Sequence, residues 1–438
     1  MDHVTARAVI DLAMRVGETL LSTGASASDV VATVLRLTDA YGLRSVHVDV
    51  SFTSISVSYH RGPDADPMTV MRGIKVRSTD LTRLERLQAL VRDLAVSAEI
   101  GETRARFDDL VMAPHPYRRW VVTAALATVG AAAAALFGGT WFIMVVSFVT
   151  TGAVDRVQRW LAHRGIAAFF TQIAGGAIPT VVAVGLLAAI AAGVPGLQAI
   201  SPSLVVASGI VVLLAGLSVV GAAQDAIDGY YVTAGARAFE VLVLTLGIVV
   251  GIGAILALAQ RSGVSMRITA DSQLTTSTVV QVLAAMVVSG AFAVSAYAGP
   301  RAAVYSTLTG GLGWLVYLGA SSVGMGPVAA SSSAALIAGF LSQLVARRLR
   351  VPALALNMAG IVPLLPGLAV YQGLFEIVQS TPGAGLSIGL TTLLGAAGVG
   401  LGLAAGVSMG TFLARPLLAE LARGQQQALR RSVGDARE

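Results

Sequence analysis

Long stretches without a charged residue dominate the chain after residue 119 and restrict its fold most strongly. These uncharged runs are 120–154, 165–224, 241–260, 272–300, 302–346, 351–375 and 377–414. A bilayer core accommodates about 20 apolar residues per helix. The run 165–224 is too long for one such helix, and turn residues at 193–196 and 201–202 divide it. The runs therefore predict several membrane-spanning helices.

Divided at their turn residues, the uncharged runs predict a polytopic α-helical membrane protein with about ten transmembrane helices. The predicted helices are 119–137, 141–159, 166–192, 203–223, 238–259, 277–298, 302–320, 328–346, 351–375 and 385–413. With the amino terminus in the cytoplasm, fourteen arginines flank these helices on the inside, and only Arg261 and Arg267 lie outside. Basic residues favour the cytoplasmic side. We therefore expect a multi-pass protein of the plasma membrane with both termini in the cytoplasm.

Composition excludes several classes of function. Hydrophobic residues make up 55% of the chain and charged residues 12%, which rules out a wholly soluble enzyme and a disordered chain. The net charge of +6 is spread through apolar sequence, so no nucleic-acid partner is expected. The chain contains no Cys, and it lacks a phosphate-binding glycine loop, a nucleophile elbow and an HExxH motif. We predict neither enzymatic activity, nor a catalytic residue, nor a cofactor.

Residues 1–118 are predicted to form a cytoplasmic α+β domain, called the head below. Apolar spacing and turn residues predict helices at 4–23, 26–41, 80–100 and 102–112, a hairpin over 46–59 and a third strand at 68–76. His47, Asp49 and His60 lie close together on the hairpin, and two histidines with a carboxylate can bind a metal. Surface residues on alternating strands explain the same pattern, so we predict no metal site and interpret the head as a docking or regulatory module.

An internal repeat divides the membrane part into two halves. Gly209–Val219 matches Gly360–Val370 at an offset of 151, with eight of eleven residues identical. A weaker match at an offset of 159 relates Ser147–Gly152 to Ser306–Gly311. Chance similarity among apolar helices is the alternative explanation. The strong match relates the fourth predicted helix to the ninth, so each half contains five helices. Because five is an odd number, the second half enters the membrane from the side opposite to the first. The halves, 119–260 and 274–413, are thus predicted to be inverted repeats, as in many secondary transporters, followed by a basic cytoplasmic tail at 414–438.

Proline and glycine near the middle of the ninth helix predict an interruption there. Pro363 and Pro366 each remove a backbone donor, which costs about 3 kcal/mol within a helix. An interrupted helix facing a cavity offers its backbone groups to a ligand, although a packing kink would explain the same residues. The first-half copy has Ala215-Gly216 at the corresponding positions, so the sequence leaves open whether helix 203–223 is broken.

Several motifs resemble those of the threonine/serine exporter family. They are Gly24–Val30 followed by Ala40–Leu43 in the head, Phe137-Gly138-Gly139, and Pro363–Leu368 with Tyr371. The resemblance covers nearly the whole chain. It implies a cytoplasmic head, ten spans in two halves, and export of threonine and serine driven by the proton motive force. The family pattern has Pro-Gly in the first half too, where this chain has Ala215-Gly216.

Polar residues and helix breaks within the membrane are the candidate site residues, because such groups are costly there unless they serve a function. The predicted substrate-binding residues are Asn357, Pro363, Pro366, Gly367, Gln372, Gly216 and Gln172. Asp225 and Glu376 each follow a central glycine by nine residues, about 13 Å along a helix. This spacing predicts a pair of coupling or gating carboxylates near opposite membrane faces, and charges at helix ends are the alternative.

Secondary active export of small neutral hydroxy amino acids is the function that these features favour. Its expected partners are the amino acid, protons and the lipid bilayer, and a homo-oligomer is possible. The main alternative is a passive channel, or a transporter of other small metabolites, gated by the head. A membrane-embedded hydrolase is less favoured because the chain has no nucleophile–base pattern.

Overall fold

The computed structural model describes residues 3–60, 66–74, 79–94, 99–197, 200–214, 216–262, 277–349, 353–379 and 384–435. The head begins with two helices, continues with a small sheet and ends with two further helices. Its elements are α1 (His3–Ser22), α2 (Ala27–Ala40), β1 (Val46–Ser51), β2 (Ser54–Tyr59), β3 (Met68–Gly73), α3 (Leu81–Arg92) and α4 (Ile100–Met112).

The three strands form an antiparallel sheet in the order β1-β2-β3, with Val57 opposite both Val48 and Val70. Helix α1 packs on this sheet and buries an apolar face that includes Val9, Leu12 and Val16. The predicted hairpin is present. The predicted helix 80–100 was too long, because α3 ends at Arg92, directly after its last buried apolar residue, Val91. The predicted end of β3, at residue 76, lies outside the described residues.

Twelve further helices occur among the described residues after 118. They are α5 (Arg119–Leu136), α6 (Trp141–His163), α7 (Ala168–Ala191), α8 (Ser203–Ile210), α9 (Gly216–Ile227), α10 (Tyr231–Arg261), α11 (Thr278–Ser295), α12 (Pro300–Ser322), α13 (Pro327–Leu349), α14 (Ala353–Gly360), α15 (Gly367–Gln379) and α16 (Ala384–Asp435). Within the described residues, α5, α7, α10, α11, α13 and α16 contain segments long and apolar enough to cross a membrane. The polytopic membrane fold is therefore confirmed, while the count of ten spans stays a prediction.

Both helices that contain the repeat are interrupted. Predicted helix 203–223 is divided into α8 and α9, so the question that the sequence left open is answered. Predicted helix 351–375 is divided into α14, a short 3-10 turn at Val362–Leu364, and α15. Ala215 lies outside the described residues.

Two other predicted boundaries were wrong. Helix α10 begins at Tyr231 rather than at 238, because Gly229 has a φ of +89° and makes a tight turn directly after α9. Helix α16, predicted to end at 413, continues to Asp435, so the residues of the predicted tail extend the last helix. Its sequence after 413 is rich in Leu, Ala, Arg and Gln, which are strong helix formers.

Helix pairings recur between the two predicted halves. In the first half α5 packs on α6, α6 on α7, α7 on α10 and α9 on α10. In the second half α11 packs on α12, α12 on α13, α13 on α16 and α15 on α16. Across the halves, α5 contacts α11, α9 contacts α16, and α15 contacts α10.

Glycines allow the closest of these helix pairs to approach. A Cβ added at Gly176 on α7 would lie 2.6 Å from the carbonyl oxygen of Ile248 on α10. One added at Gly339 on α13 would lie 2.7 Å from the carbonyl oxygen of Val407 on α16. Small residues at such contacts are typical of helices packed in membranes.

The head is joined to the helical part by hydrogen bonds from several elements. The backbone N–H of Leu81 donates to the carbonyl oxygen of Ala296 at 2.9 Å. The Thr233 hydroxyl donates to the carbonyl oxygen of Val50 at 3.0 Å. The Tyr117 hydroxyl donates to the carbonyl oxygen of Ala298 at 2.9 Å. The head is thus held against the start of α10 and the turn after α11.

Candidate functional site

The two interrupted helices cross where each is broken. A Cβ added at Gly216, the first residue of α9, would lie 2.8 Å from the Cβ of Leu365. One added at Gly367, the first residue of α15, would lie 2.7 Å from the Cβ of Leu214. The offset of 151 relates Leu214 to Leu365 and Gly216 to Gly367, so the two contacts are counterparts.

Four helix ends belong to these two interruptions. Helices α8 and α14 end there, and α9 and α15 begin there. The first turn of a helix leaves N–H groups without intrahelical partners and has a partial positive charge, whereas the last turn leaves carbonyl groups and has a partial negative charge. The crossing can therefore interact with both charged groups of a zwitterion.

Asn357 on α14 has unmet hydrogen-bonding capacity near the crossing. Its side chain is only 7% exposed, and its Oδ1 has no hydrogen-bond partner among the described residues. It lies three residues, about one helical turn, before the end of α14. Leaving a buried acceptor unsatisfied costs about 1–3 kcal/mol, so this atom is suited to accept from a ligand.

Asn357 lines a cavity of about 800 Å³ that extends from the interruptions to the head. Near the crossing the cavity is lined by Leu217 and Ser218 of α9 and by Ile361. At the other end its wall belongs to the head and includes Ser26, Ser28, Asp29, Thr79 and Gln88. Between them lie three charged side chains, Asp228, Arg237 and Glu240. The volume is within the range of small-molecule sites, about 300–1,000 Å³.

Asp225 is buried where the head meets α9 and α10. Its Oδ2 lies 3.2 Å from Nε of Arg237, and its Oδ1 accepts a hydrogen bond from the backbone N–H of Ala27 at 3.0 Å. Arg237 also donates from Nη2 to the carbonyl oxygen of Ala25 at 3.1 Å. This buried ion pair is thus bound directly to the start of α2.

A second acidic contact lies beside this ion pair. The Ser28 hydroxyl donates to Oδ2 of Asp228 at 2.5 Å. Next to it, burial raises the pKa of the Asp29 carboxyl, and the negative charge of Asp228 raises this pKa further, whereas the Ser26 hydrogen bond and Arg36 lower it. The net direction is upward because desolvation penalises the charged form most.

The remaining predicted residues lie at three places. Pro363 lies in the 3-10 turn and Pro366 directly before α15, so both are at the crossing. Glu376 is half-buried on α15 and accepts from the Thr392 hydroxyl of α16 at 3.0 Å. Gln372 is also half-buried on α15.

Gln172 lies elsewhere, on α7, where its Oε1 accepts from Nε2 of Gln158 on α6 at 3.3 Å. Within the described part of the predicted substrate set, Asn357 alone lines the cavity. The structure therefore brings Asn357 and the two breaks together but places Gln172, Gln372 and Glu376 outside the cavity wall.

Sequence reasoning missed the contribution of the head and of Arg237. Arg237 is one of the fourteen arginines that indicate orientation. A carboxylate within an apolar segment requires a partner, and Arg237 follows Asp225 by twelve residues. The stretch Ala25–Ser28 lies within the head motif that resembles the exporter family, yet nothing in its sequence places it beside a residue nearly 200 positions away.

The hairpin histidines do not form a metal centre in the described structure. The His47 and His60 rings lie edge to face with centroids 5.8 Å apart. Among the described residues, no group of three His, Cys, Asp or Glu side chains is arranged to hold a metal ion.

Comparison with known proteins gives consistent matches over most of the chain. Residues 11–259 match a family model described as "Putative threonine/serine exporter", and residues 281–409 match one described as "Threonine/Serine exporter, ThrE". A Mycobacterium tuberculosis protein named "Probable threonine/serine exporter" is 40% identical over 426 residues, covering 95% of this chain and 78% of the relative. A Corynebacterium glutamicum protein named "Threonine/serine exporter" is 36% identical over 423 residues, covering 95% and 84%. No solved structure matches the chain.

Proposed function

The chain belongs to the threonine/serine exporter family, a family of transporters and not of enzymes, and from this premise we propose that it exports small neutral hydroxy amino acids across the plasma membrane. Threonine and serine are the proposed substrates, and the proton motive force is the proposed driving force. The resemblance found in the sequence motifs is confirmed by the matches to both family models.

The Oδ1 of Asn357, which has no hydrogen-bond partner in the described part of the chain, is the observation that carries the proposal. An ammonium or hydroxyl group of the substrate would donate to this atom. The amino-terminal ends of α9 and α15 favour a carboxylate, and the carboxyl-terminal ends of α8 and α14 favour an ammonium group. Asn357 and the crossing together therefore supply partners for each polar group of threonine or serine.

Alternating access follows from two five-span halves inserted in opposite directions. The repeat at an offset of 151, the recurring helix pairings and the paired contacts at Gly216 and Gly367 support this arrangement. A further pair of contacts shows the same correspondence. Gly130 lies against Thr151 in the first half, and Gly310 lies against Ser289 in the second. The offset of 159 relates Gly130 to Ser289 and Thr151 to Gly310. Rocking of one half against the other about the crossing would expose the site to each side in turn.

Proton coupling is assigned to Asp225 and Glu376. Protonation of Asp225 would remove the charge that faces Arg237, and protonation of Glu376 would turn an acceptor for Thr392 into a group that can also donate. Either change alters a contact between helices and can bias two conformations differently. In this proposal both termini and the head lie in the cytoplasm.

Counterflow in proteoliposomes tests the substrate and the mode of transport together. Vesicles containing the purified protein are loaded with unlabelled threonine, and uptake of labelled threonine is followed over time. An exporter working by alternating access produces a transient overshoot with threonine or serine inside and none with a large or charged amino acid inside. Simple equilibration without an overshoot would indicate a passive channel and reject the proposal.

A further inference from the structure

The cavity that contains Asn357 has a composite wall. Helices α9, α10 and α14 supply Ser218, Arg237 and Asn357, while the head supplies Ser28 and Gln88. The head residues come from two different elements, because Ser28 lies in the first turn of α2 and Gln88 lies on α3. The head thus forms part of the cavity wall and is more than a separate domain tethered to one end of the helices.

Directed contacts hold this wall in place. Ala27 donates to Asp225, Arg237 donates to the carbonyl of Ala25, and Ser28 donates to Asp228. The contacts at Ala25 and Ala27 each join a backbone group of the head to a buried charged side chain. They therefore position the backbone at the start of α2, whatever rotamers the head side chains adopt. The cavity therefore has a defined shape on the head side.

The cavity presents groups of both charges together with an unsatisfied amide. Asp29 and Asp228 supply negative charge, and Arg237 supplies a guanidinium whose Nε faces Asp225 and whose Nη2 donates to the carbonyl of Ala25. Asn357 adds a buried acceptor that has no partner among the described residues. A zwitterion is the chemical class that uses groups of both charges and an extra acceptor at once.

We propose that the head and the membrane helices jointly form the site that first binds a zwitterionic hydroxy amino acid on the head side of the membrane. This inference rests on the proposed export function and adds to it that the head is part of the substrate path. The substrate contacts the head wall before it reaches the crossing. The links from Ala25, Ala27 and Ser28 to α9 and α10 hold that wall in place beside the bound molecule.

Cysteine labelling tests this proposal well, because the chain contains no cysteine of its own. Gln88→Cys places a thiol in the head wall, and Ser218→Cys places one in the membrane wall. Ser45→Cys in the head and Ser262→Cys at the far end of α10 are controls, since both positions are exposed and neither lines the cavity. Thr79→Cys is a second head-wall variant for use if Gln88→Cys unfolds on heating earlier than the parent protein.

The rate of modification by a small methanethiosulfonate is measured on the purified full chain with and without threonine. We expect threonine to slow labelling several-fold at both wall positions and to leave both controls unchanged, with serine acting similarly and lysine having no effect. Protection at Ser218→Cys alone would overturn the role of the head while leaving export intact. Absence of protection at both wall positions in variants that still show counterflow would likewise overturn this site, whereas absence of counterflow in the parent protein would reject the proposed function.

Discussion

Oδ2 of Asp225 lies 3.2 Å from Nε of Arg237, and both side chains are buried between the head and helices α9 and α10. Either charge alone would be costly there, because desolvation of an isolated ion costs far more than desolvation of a polar group. Backbone groups of the head complete the coordination of both partners. The ion pair therefore joins the head to the second half of an interrupted helix.

Removing one partner of this pair is expected to destabilise the protein. Asp225→Asn leaves Arg237 buried without a counter-charge, and breaking a buried pair in this way costs about 3–5 kcal/mol. The midpoint of thermal unfolding in detergent should fall markedly, and combining Asp225→Asn with Arg237→Gln should recover part of the loss. Glu102→Gln is the control, because the Glu102–Arg106 pair on the head has side chains 59% and 64% exposed and such pairs contribute about 0–1 kcal/mol. Equal effects of Asp225→Asn and Glu102→Gln would contradict the structural role of the ion pair.

The crossing of the two interrupted helices is expected to tolerate no additional side-chain atoms. Gly216→Ala would place a methyl group against the Cβ of Leu365, and Gly367→Ala would place one against the Cβ of Leu214. A Cβ cannot move without its backbone, so each substitution should cost about 1–3 kcal/mol and slow counterflow.

Gly185→Ala on α7 serves as the matched control for this prediction, because an added Cβ there meets nothing within 4 Å. Its counterflow should equal that of the parent protein. Normal transport by both Gly216→Ala and Gly367→Ala would show that the breaks do not need to pack so closely during the transport cycle.

Sequence reasoning predicted the break at Pro363 and Pro366 but could not decide the break before Gly216. Each proline enforces an interruption locally, since it lacks an N–H donor. Val211–Leu214 contain no proline and would suit an ordinary helix, so the interruption there depends on packing against Leu365, a residue 149 positions beyond Gly216. The contact that the Asp225–Arg237 ion pair makes with the head likewise joins residues that are far apart in the sequence. Periodicity located the elements of the head, but no local pattern indicates which surface of the head meets the membrane helices.

Asn357 is expected to contribute to substrate binding at the expense of stability. Asn357→Ala removes packing contacts, which lowers stability, but it also removes a buried acceptor that has no partner among the described residues. Removal of this unsatisfied acceptor should restore about 1–3 kcal/mol of stability and offset the loss of packing. The unfolding midpoint should stay near that of the parent protein while the threonine concentration needed for half-maximal counterflow rises. A large drop in the midpoint with unchanged transport would indicate that Asn357 has a structural role instead.

Asp29 is expected to make stability depend on pH. Its pKa in the folded protein is raised above 3.8 by burial and by Asp228, so the folded state binds its proton more tightly than the unfolded state does. Stability is therefore lost as pH rises from the unfolded pKa through the raised folded pKa. Asp29→Asn should be more stable than the parent protein at neutral pH, and this difference should vanish below about pH 3.8. A difference in unfolding midpoint that stays constant from acid to neutral pH would exclude this origin.

Glu376 is expected to act in coupling and not in substrate binding. Glu376→Gln keeps an acceptor for the Thr392 hydroxyl but can no longer gain or lose a proton. Counterflow should persist, because it needs no proton movement, while transport driven by a pH gradient should be lost. Thr392→Val keeps the carboxylate but removes the contact that its protonation is proposed to change, so it should also weaken pH-driven transport while counterflow persists. Full pH-driven transport by Glu376→Gln would remove Glu376 from the coupling mechanism.

Uphill threonine movement in proteoliposomes that hold an imposed pH gradient decides whether this protein is a proton-driven exporter. Labelled threonine is supplied at equal concentration on both sides, and its distribution is followed with and without a protonophore. We predict that threonine becomes unequally distributed while the gradient lasts and returns to equality when the protonophore is added. A distribution that stays equal throughout, in vesicles that still exchange threonine, would contradict proton-driven export and identify a passive pathway.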